Sequence, residues 1–456
     1  MVLFLWRGCF MSKELRSFQY VFLVDSLLKG GDSMNSLFVG IDVSTQNNQV
    51  CAINFDQHVF FNLSFPNTPD GCDNLITAVK AFVAKENFDA ITIVTESTSV
   101  YDFHICAYLS SQLSLVNTSV VIYSVNAKSI AKYKESYIEM EKTDPGDAFL
   151  CADFARIGRC KKLRPFRSAQ HIALKRLTRE RYHLAEQLTR EKNYVLNNIY
   201  LKISGFITLP NKDLPFYDNF SASNRKFLTD YVSPFDLADR PFSEIIDYFK
   251  STSKNRCDDY HKIASLFDKA IRSSYRLDQT AYEPITISIT ASINLIQCME
   301  SQIKMVDKAI EKEMKGLYPN QYLSLMSITG IGPVFAAGIL SEIGDISYFN
   351  NHASLAKYAG FHWKKHDSGK FTADKKHSAN ACNKYLKYYI TQATQMSVMY
   401  HFDYTCDFYY KKYNEATTHK HRRALVLTSR KLVRLIYVLL RDNKLYVSVS
   451  HDTASE

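Results

Sequence analysis

Residues 37–44 read LFVGIDVS, a short apolar run that closes on an aspartate, Asp42, before a polar turn. Such a run is strand-like, and a carboxylate at the end of an apolar strand is unusual enough to suggest chemistry. Working outward, NQVCAINF (48–55) and HVFFNLSF (58–65) follow across polar turns, so three strands in an antiparallel meander are expected. An amphipathic helix over about 73–85, the strand ITIVTES (91–97), a helix over 101–111 and the strand SVVIYSV (119–125) come next. A meander followed by alternating strands and helices predicts a mixed sheet flanked by helices. The ribonuclease H-like α/β fold has that order.

Two further acidic motifs lie in this region. Glu96 sits in IVTESTS, again at the end of an apolar strand, and KTDPGDA (142–148) places Asp144 and Asp147 three residues apart. Taken alone, KTDPGDA reads as a helix start: Asp144 caps it, Pro145 fits the first turn and Asp147 favours the positive end of the dipole. On a helix, positions three apart share a face, with Cβ atoms ~5–6 Å apart. If the two acidic strand ends are neighbours, Asp42, Glu96, Asp144 and Asp147 converge on one cleft. Four carboxylates need a cation, and hard oxygen ligands suit Mg²⁺ or Mn²⁺, whose paired ions ~4 Å apart serve phosphoryl transfer. The alternative for each single acid is a turn or cap residue.

The chain has 456 residues, enough for two or three domains, with 46% hydrophobic and 22% charged residues and a net charge of +10. That balance makes polyanions plausible partners. The cysteines form neither a CxxC pair nor a Cys/His cluster at zinc spacing, which speaks against a zinc finger and for reduced thiols in a cytoplasmic protein. No window has the apolar length of a membrane helix, so no membrane partner is expected. Residues 1–33 read as a non-native or poorly structured extension, with translation expected to start at Met34.

Residues 34–155 are expected to form the catalytic α/β domain, 156–316 a helical linker, 317–446 a mainly helical C-terminal domain and 447–456 a tail. Within the linker, Leu177, Leu184, Leu188 and Val195 recur at heptad-like intervals in a basic stretch, predicting one long helix. Its stripe serves either a coiled-coil seam between subunits or packing within one. Residues 205–285 read as a small helical insert without a functional assignment. In SITGIGPVFAAGILSEIGD (327–345), Gly330 and Gly332 mark a tight turn between helices. A helix-hairpin-helix would offer its backbone N–H groups to phosphate there, and a plain packing turn would look the same. The last helix carries Leu425, Leu432, Leu435 and Leu439 on one side, with Arg422, Arg423, Arg430, Lys431 and Arg434 facing nucleic acid or water.

GIDVS, VTESTSVY and KTDPGDA, in this order, resemble the motifs of the DEDD transposases of the insertion-sequence 110 family, whose catalytic domain is RuvC-like. The resemblance continues through SITGIGP, SLAKYAGFHWKKHDSGKF, NKYLKYYITQAT and HKHRRALVLTSRKLVRLIY, covering nearly everything after Met34 except the insert. It implies a RuvC-like domain whose four acids bind Mg²⁺ and a C-terminal transposase domain with a serine nucleophile. The matching residue is Ser368 in KHDSGKF; from the residues alone, Ser378 would be an equal candidate, and a serine needs a base or metal for activation. The resemblance further implies donor and target DNA, a noncoding guide RNA from the element end, a dimer to tetramer, and a place at the bacterial nucleoid. One departure is Cys382 in CNKYLKYYI, where family members commonly carry glycine. A DNA invertase, a metal-dependent junction nuclease with water as nucleophile, and an inactive nucleic-acid-binding protein are the other functions compatible with the sequence.

Overall fold

The computed structural model describes residues 35–97, 100–113, 118–137, 144–166, 169–216, 218–253, 259–363, 367–368, 371–372 and 382–447. The N-terminal extension expected from the sequence, and the C-terminal tail beyond Val447, lie outside these residues. The chain forms two units, the first ending at Ser168 and the second beginning at Ala169.

The first unit is built on β1 (Ser36–Asp42), β2 (Asn47–Ile53), β3 (Val59–Pro66), β4 (Ala90–Ser97) and β5 (Ser119–Asn126). Their order in the sheet is β3-β2-β1-β4-β5. The first three strands run antiparallel, while β4 runs parallel to both β1 and β5. Helices α1 (Pro69–Glu86) and α2 (Asp102–Gln112) supply the parallel crossovers, and α3 (Ala127–Lys134) and α4 (Asp144–Arg156) follow. Strand alternation sorts the core into two layers. Leu37, Val39 and Ile41 of β1 and Ile91 and Ile93 of β4 pack with α1 and α2. Phe38 and Val94 pack with α3 and α4 on the other face, through Ile130, Ala148, Cys151, Ala152 and Ala155. The α4 positions recur at helical spacing and are all small, so this helix lies close on the sheet. Every strand expected from the sequence is present, and the mixed sheet fits the RuvC-like fold.

The second unit is mostly helical. Its long helices α5 (Ala169–Lys202) and α11 (Gln279–Met314) pack along each other, and the insert forms α6 (Gly205–Thr208), α7 (Ala222–Asp230), α8 (Phe235–Ala238), α9 (Phe242–Ser253) and α10 (Tyr260–Arg272) between them in sequence. The heptad-like stripe of α5 is used inside the subunit: Leu177 and Leu184 pack on the C-terminal core, Leu188 and Val195 on the core of the insert. That insert core is aromatic, with Phe267 edge-on to Phe227 at 4.8 Å. Lys202, almost fully buried, donates to Leu228 O (2.8 Å) and Thr286 Oγ1 (2.9 Å) and ties α5 to the end of α7 and to α11.

The C-terminal part comprises α12 (Pro319–Met326), α13 (Pro333–Ile343), α14 (His352–Tyr358), the strand pair β6 (Asp367–Ser368) and β7 (Phe371–Thr372), α15 (Lys384–Met399), α16 (Asp403–Glu415) and α17 (Lys420–Asp442). Helix α13 is buried from Ala336 to Ile343 and forms the centre of this core. The glycine turn between α12 and α13 has two different roles. Gly330 has φ +94, and a Cβ there would lie 2.4 Å from Ser397 N, so it serves packing against α15; Gly332 faces open space. In α17, Leu425, Leu432 and Leu439 are core. Two of its basic residues are engaged internally: Arg430 donates to Phe361 O (2.8 Å), and the Lys431 ammonium lies 4.3 Å from the Tyr404 ring. Arg422, Arg423 and Arg434 are exposed.

Candidate active site

The strand alternation that buries Phe38 beneath α4 continues through Gly40 to Asp42. The same parity on β4 runs from Val94 to Glu96. Ile41 stands opposite Thr95 in the parallel ladder, so the next residues, Asp42 and Glu96, are side by side at the C-terminal ends of adjacent strands. Both therefore project toward the face covered by α4. Gly40 makes that cover close: a Cβ on it would come within 2.1 Å of Ala148 O and 2.3 Å of Ala152 N.

Helix α4 begins at Asp144, as KTDPGDA predicts. Asp147 and Cys151 are one turn apart, which aligns them along one side of α4. Cys151 is fully buried, and its thiol is pushed well above the ordinary range, first by burial and then by the negative charges of Glu96, Asp42 and Asp147. Three acids drawn from three separate motifs thus act on one buried sulfur. The side chains of Asp144 and Ser368 lie outside the described residues; Ser368 itself is on β6, paired with Phe371 of β7.

Sequence reasoning missed the residue that meets Asp147. Lys134, in the last turn of α3, forms an ion pair with the Asp147 carboxylate. Its helix is fastened to α4 by Asp153, which is fully buried and accepts from the hydroxyls of Tyr133 and Tyr137, from Arg156 Nε (2.5 Å) and from Gln57 Nε2 (3.0 Å). Burial pushes the Asp153 carboxyl up, but these donors outweigh it and hold it below the usual carboxylate range. The available signal was a basic last turn shortly before the acidic motif. It does not show which acid the lysine meets.

The donor set fits a hard divalent cation. It offers carboxylate oxygens only, since the buried, protonated Cys151 is no soft thiolate ligand. Among the described residues no three His, Cys, Asp or Glu side chains already stand as one metal-holding group. Lys134 supplies the positive charge next to Asp147 in this structure. No helix among the described residues is long and apolar enough to cross a membrane.

Comparison with known proteins assigns the chain. The DEDD transposase model of the insertion-sequence 110 family, described as Transposase, matches residues 39–200, spanning the sheet, α4 and most of α5. A second model, described as Transposase IS116/IS110/IS902 family, matches residues 323–411. The chain is also similar to the "Insertion element IS116 uncharacterized 44.8 kDa protein" of Streptomyces clavuligerus, with 21% identity over 412 residues, covering 90% of this chain and 96% of that protein. The first model covers the unit that carries Asp42, Glu96 and Asp147 and runs on into α5, and the second covers the helical region that carries Ser368. The chain belongs to the IS116/IS110/IS902 family of insertion-sequence transposases.

Proposed function

We propose that this transposase is an RNA-guided, serine-type DNA recombinase that moves its own insertion sequence. The observation that supports the reading is the β1–β4 ladder, which sets Asp42 beside Glu96 at adjacent strand ends on the face covered by α4, the helix that carries Asp147. Asp42, Glu96, Asp144 and Asp147 would hold Mg²⁺, with Mn²⁺ as a substitute. Bound there, the cation supplies charge stabilisation to a phosphodiester and lowers the proton affinity of an attacking hydroxyl. Lys134 balances Asp147 until the site is loaded, and the tie through Asp153 keeps α3 and α4 in register meanwhile.

Ser368 is the nucleophile in this proposal. Its Oγ forms a bond to phosphorus, the ester bond from phosphorus to a deoxyribose oxygen breaks, and the serine proton ends on the released sugar hydroxyl. Attack by a hydroxyl of the partner strand reverses these changes and frees the serine. Bond energy is conserved, and no nucleotide cofactor is consumed. Exposed basic residues such as Arg422, Arg423 and Arg434 would hold backbones, while pairing with an element-end RNA chooses the sequence. The assembled form is a dimer to tetramer.

Rewriting the target-pairing loop of that RNA tests the guidance. Recombination with purified protein, donor and a mixture of targets is expected to shift to the target matching the new loop, read by sequencing the junctions. Junctions that stay at the original target whatever the loop would remove the RNA from the mechanism.

A further inference from the structure

Asn383, next to Cys382 in the CNKYLKYYI segment, organises a region of the second unit. Its Oδ1 accepts from the backbone N–H groups of Tyr385 (3.1 Å) and Leu386 (3.0 Å), capping α15. Its Nδ2 donates to Glu342 (2.7 Å) and to the Tyr358 hydroxyl (2.8 Å). Glu342 is fully buried and accepts from Arg179 through Nε (2.7 Å) and Nη2 (3.1 Å). Burial alone would raise its carboxyl, yet Arg179, Lys175 and Asn383 hold it below the usual range. The Arg179 guanidinium is thereby pinned, with its carbon 4.4 Å from the Tyr385 ring centroid. Cys382 packs beside this network in the space left by Gly360, where a Cβ would stand 2.7 Å from its Sγ.

Above this network opens a cavity of about 630 Å³, whose walls include Arg179, Lys357, Tyr358, Asn383, Lys384 and Tyr385. It presents three cationic side chains, and none of its lining residues is a carboxylate. Lys384 is steered over the Tyr182 and Tyr385 rings, at 5.3 and 5.1 Å. Glu342, the acid bonded to Arg179 and Asn383, is already satisfied by these partners. The ligand chemistry that matches is an anion attached to a flat body, in a volume suited to a small organic group rather than to a bare oxyanion. Pinned arginine planes and tyrosines beside cations are the means by which proteins take splayed bases from single strands.

We propose that this cavity takes an unstacked nucleotide of a single nucleic-acid strand. The phosphate lies among Arg179, Lys357 and Lys384, and the base stacks on the guanidinium face opposite Tyr385. The site requires neither the serine chemistry nor a metal. It uses only a nucleic-acid partner, and a transposase has one in its DNA.

The test uses the full chain and the Lys357→Glu/Lys384→Glu double variant. Both lysines are exposed and only the ring contacts of Lys384 are given up, so the melting midpoint is expected to stay within a few degrees. Fluorescence anisotropy would compare short labelled strands of one sequence as RNA and as DNA, the matching DNA duplex, and strands with central abasic sites. Single-strand affinity is expected to fall ~10-fold or more, with a salt slope shallower by about 1–2. The unchanged protein should bind abasic strands more weakly than intact ones, and the variant should lose that difference. Loss confined to RNA or to DNA assigns the strand, and loss on both makes the pocket common to them. Unchanged single-strand affinity, an equal loss on the duplex, or no measurable single-strand binding by the unchanged protein would overturn the proposal. Because no covalent step is read, failure here leaves the recombinase reading standing.

Discussion

Strand cleavage by the Glu96→Gln protein is expected to fall ~10³-fold or more while its melting midpoint stays within a few degrees of the unchanged chain. Glutamine keeps the shape of the side chain and removes only the charge, and Glu96 is only half-buried at a strand end, so the fold loses little. The cleft loses much more. Glu96 stands beside Asp42 at the end of the neighbouring strand, on the face covered by α4, so its charge is one the cation would need. A metal-stabilised phosphoryl transfer draws several kcal/mol from its cation, and each ~1.4 kcal/mol lost is tenfold in rate. Mn²⁺ binding followed by electron paramagnetic resonance should weaken in parallel, separating a lost ligand from a lost fold. Cleavage within ~10-fold of the unchanged protein, with Mn²⁺ affinity preserved, would mean that Glu96 is only a strand-end residue.

The second large effect is expected at Gly40, a residue that touches no substrate. Alanine there would place a methyl group 2.1 Å from Ala148 O and 2.3 Å from Ala152 N, both backbone atoms of α4. Neither can swing away as a side-chain tip would, so the helix must lift from the sheet by about an ångström. Overpacking of this kind costs about 1–3 kcal/mol and more where the backbone is rigid, and denaturant unfolding should show at least that loss. Because α4 also carries Asp147, the lift separates it from Asp42 and Glu96. A misplacement near 1 Å is enough for a ~10²-fold loss of activity. Gly40→Ala should therefore reduce cleavage even under conditions where the protein remains folded. An unchanged unfolding midpoint with full cleavage would show that α4 does not sit on β1 as closely as described.

The first unit was legible because its signals are local and mutually consistent. Apolar runs of strand length, polar turns and the helix start at KTDPGDA each stand in a few adjacent residues, and the β1–β4 ladder then brings Asp42 and Glu96 together. What the sequence could not supply were partners set by long-range packing. Lys134 meets Asp147 only because Tyr133, Tyr137 and Asp153 fasten two helices whose registration no spacing encodes. The leucine stripe of α5 reads equally well as a seam between subunits and as core; α11, far along the chain, and the two cores on either side settle its use within the subunit. Gly330 was ambiguous for the same reason, since its neighbour Ser397 lies on α15. The network of Arg179, Glu342 and Asn383 joins α5, α13 and the start of α15, and no motif spans them.

The central claim is that the serine and not water attacks DNA, and one measurement bears on it directly. Purified protein would be incubated with Mg²⁺, element-end RNA and matching DNA, denatured in SDS, and digested with protease and nuclease before mass spectrometry of the nucleotide-bearing peptide. The account predicts an SDS-resistant adduct with the nucleotide on Ser368, absent from Ser368→Ala and from Asp147→Asn. Cleaved DNA without any adduct, at the same level in Ser368→Ala, would contradict it and leave a metal-dependent nuclease in its place.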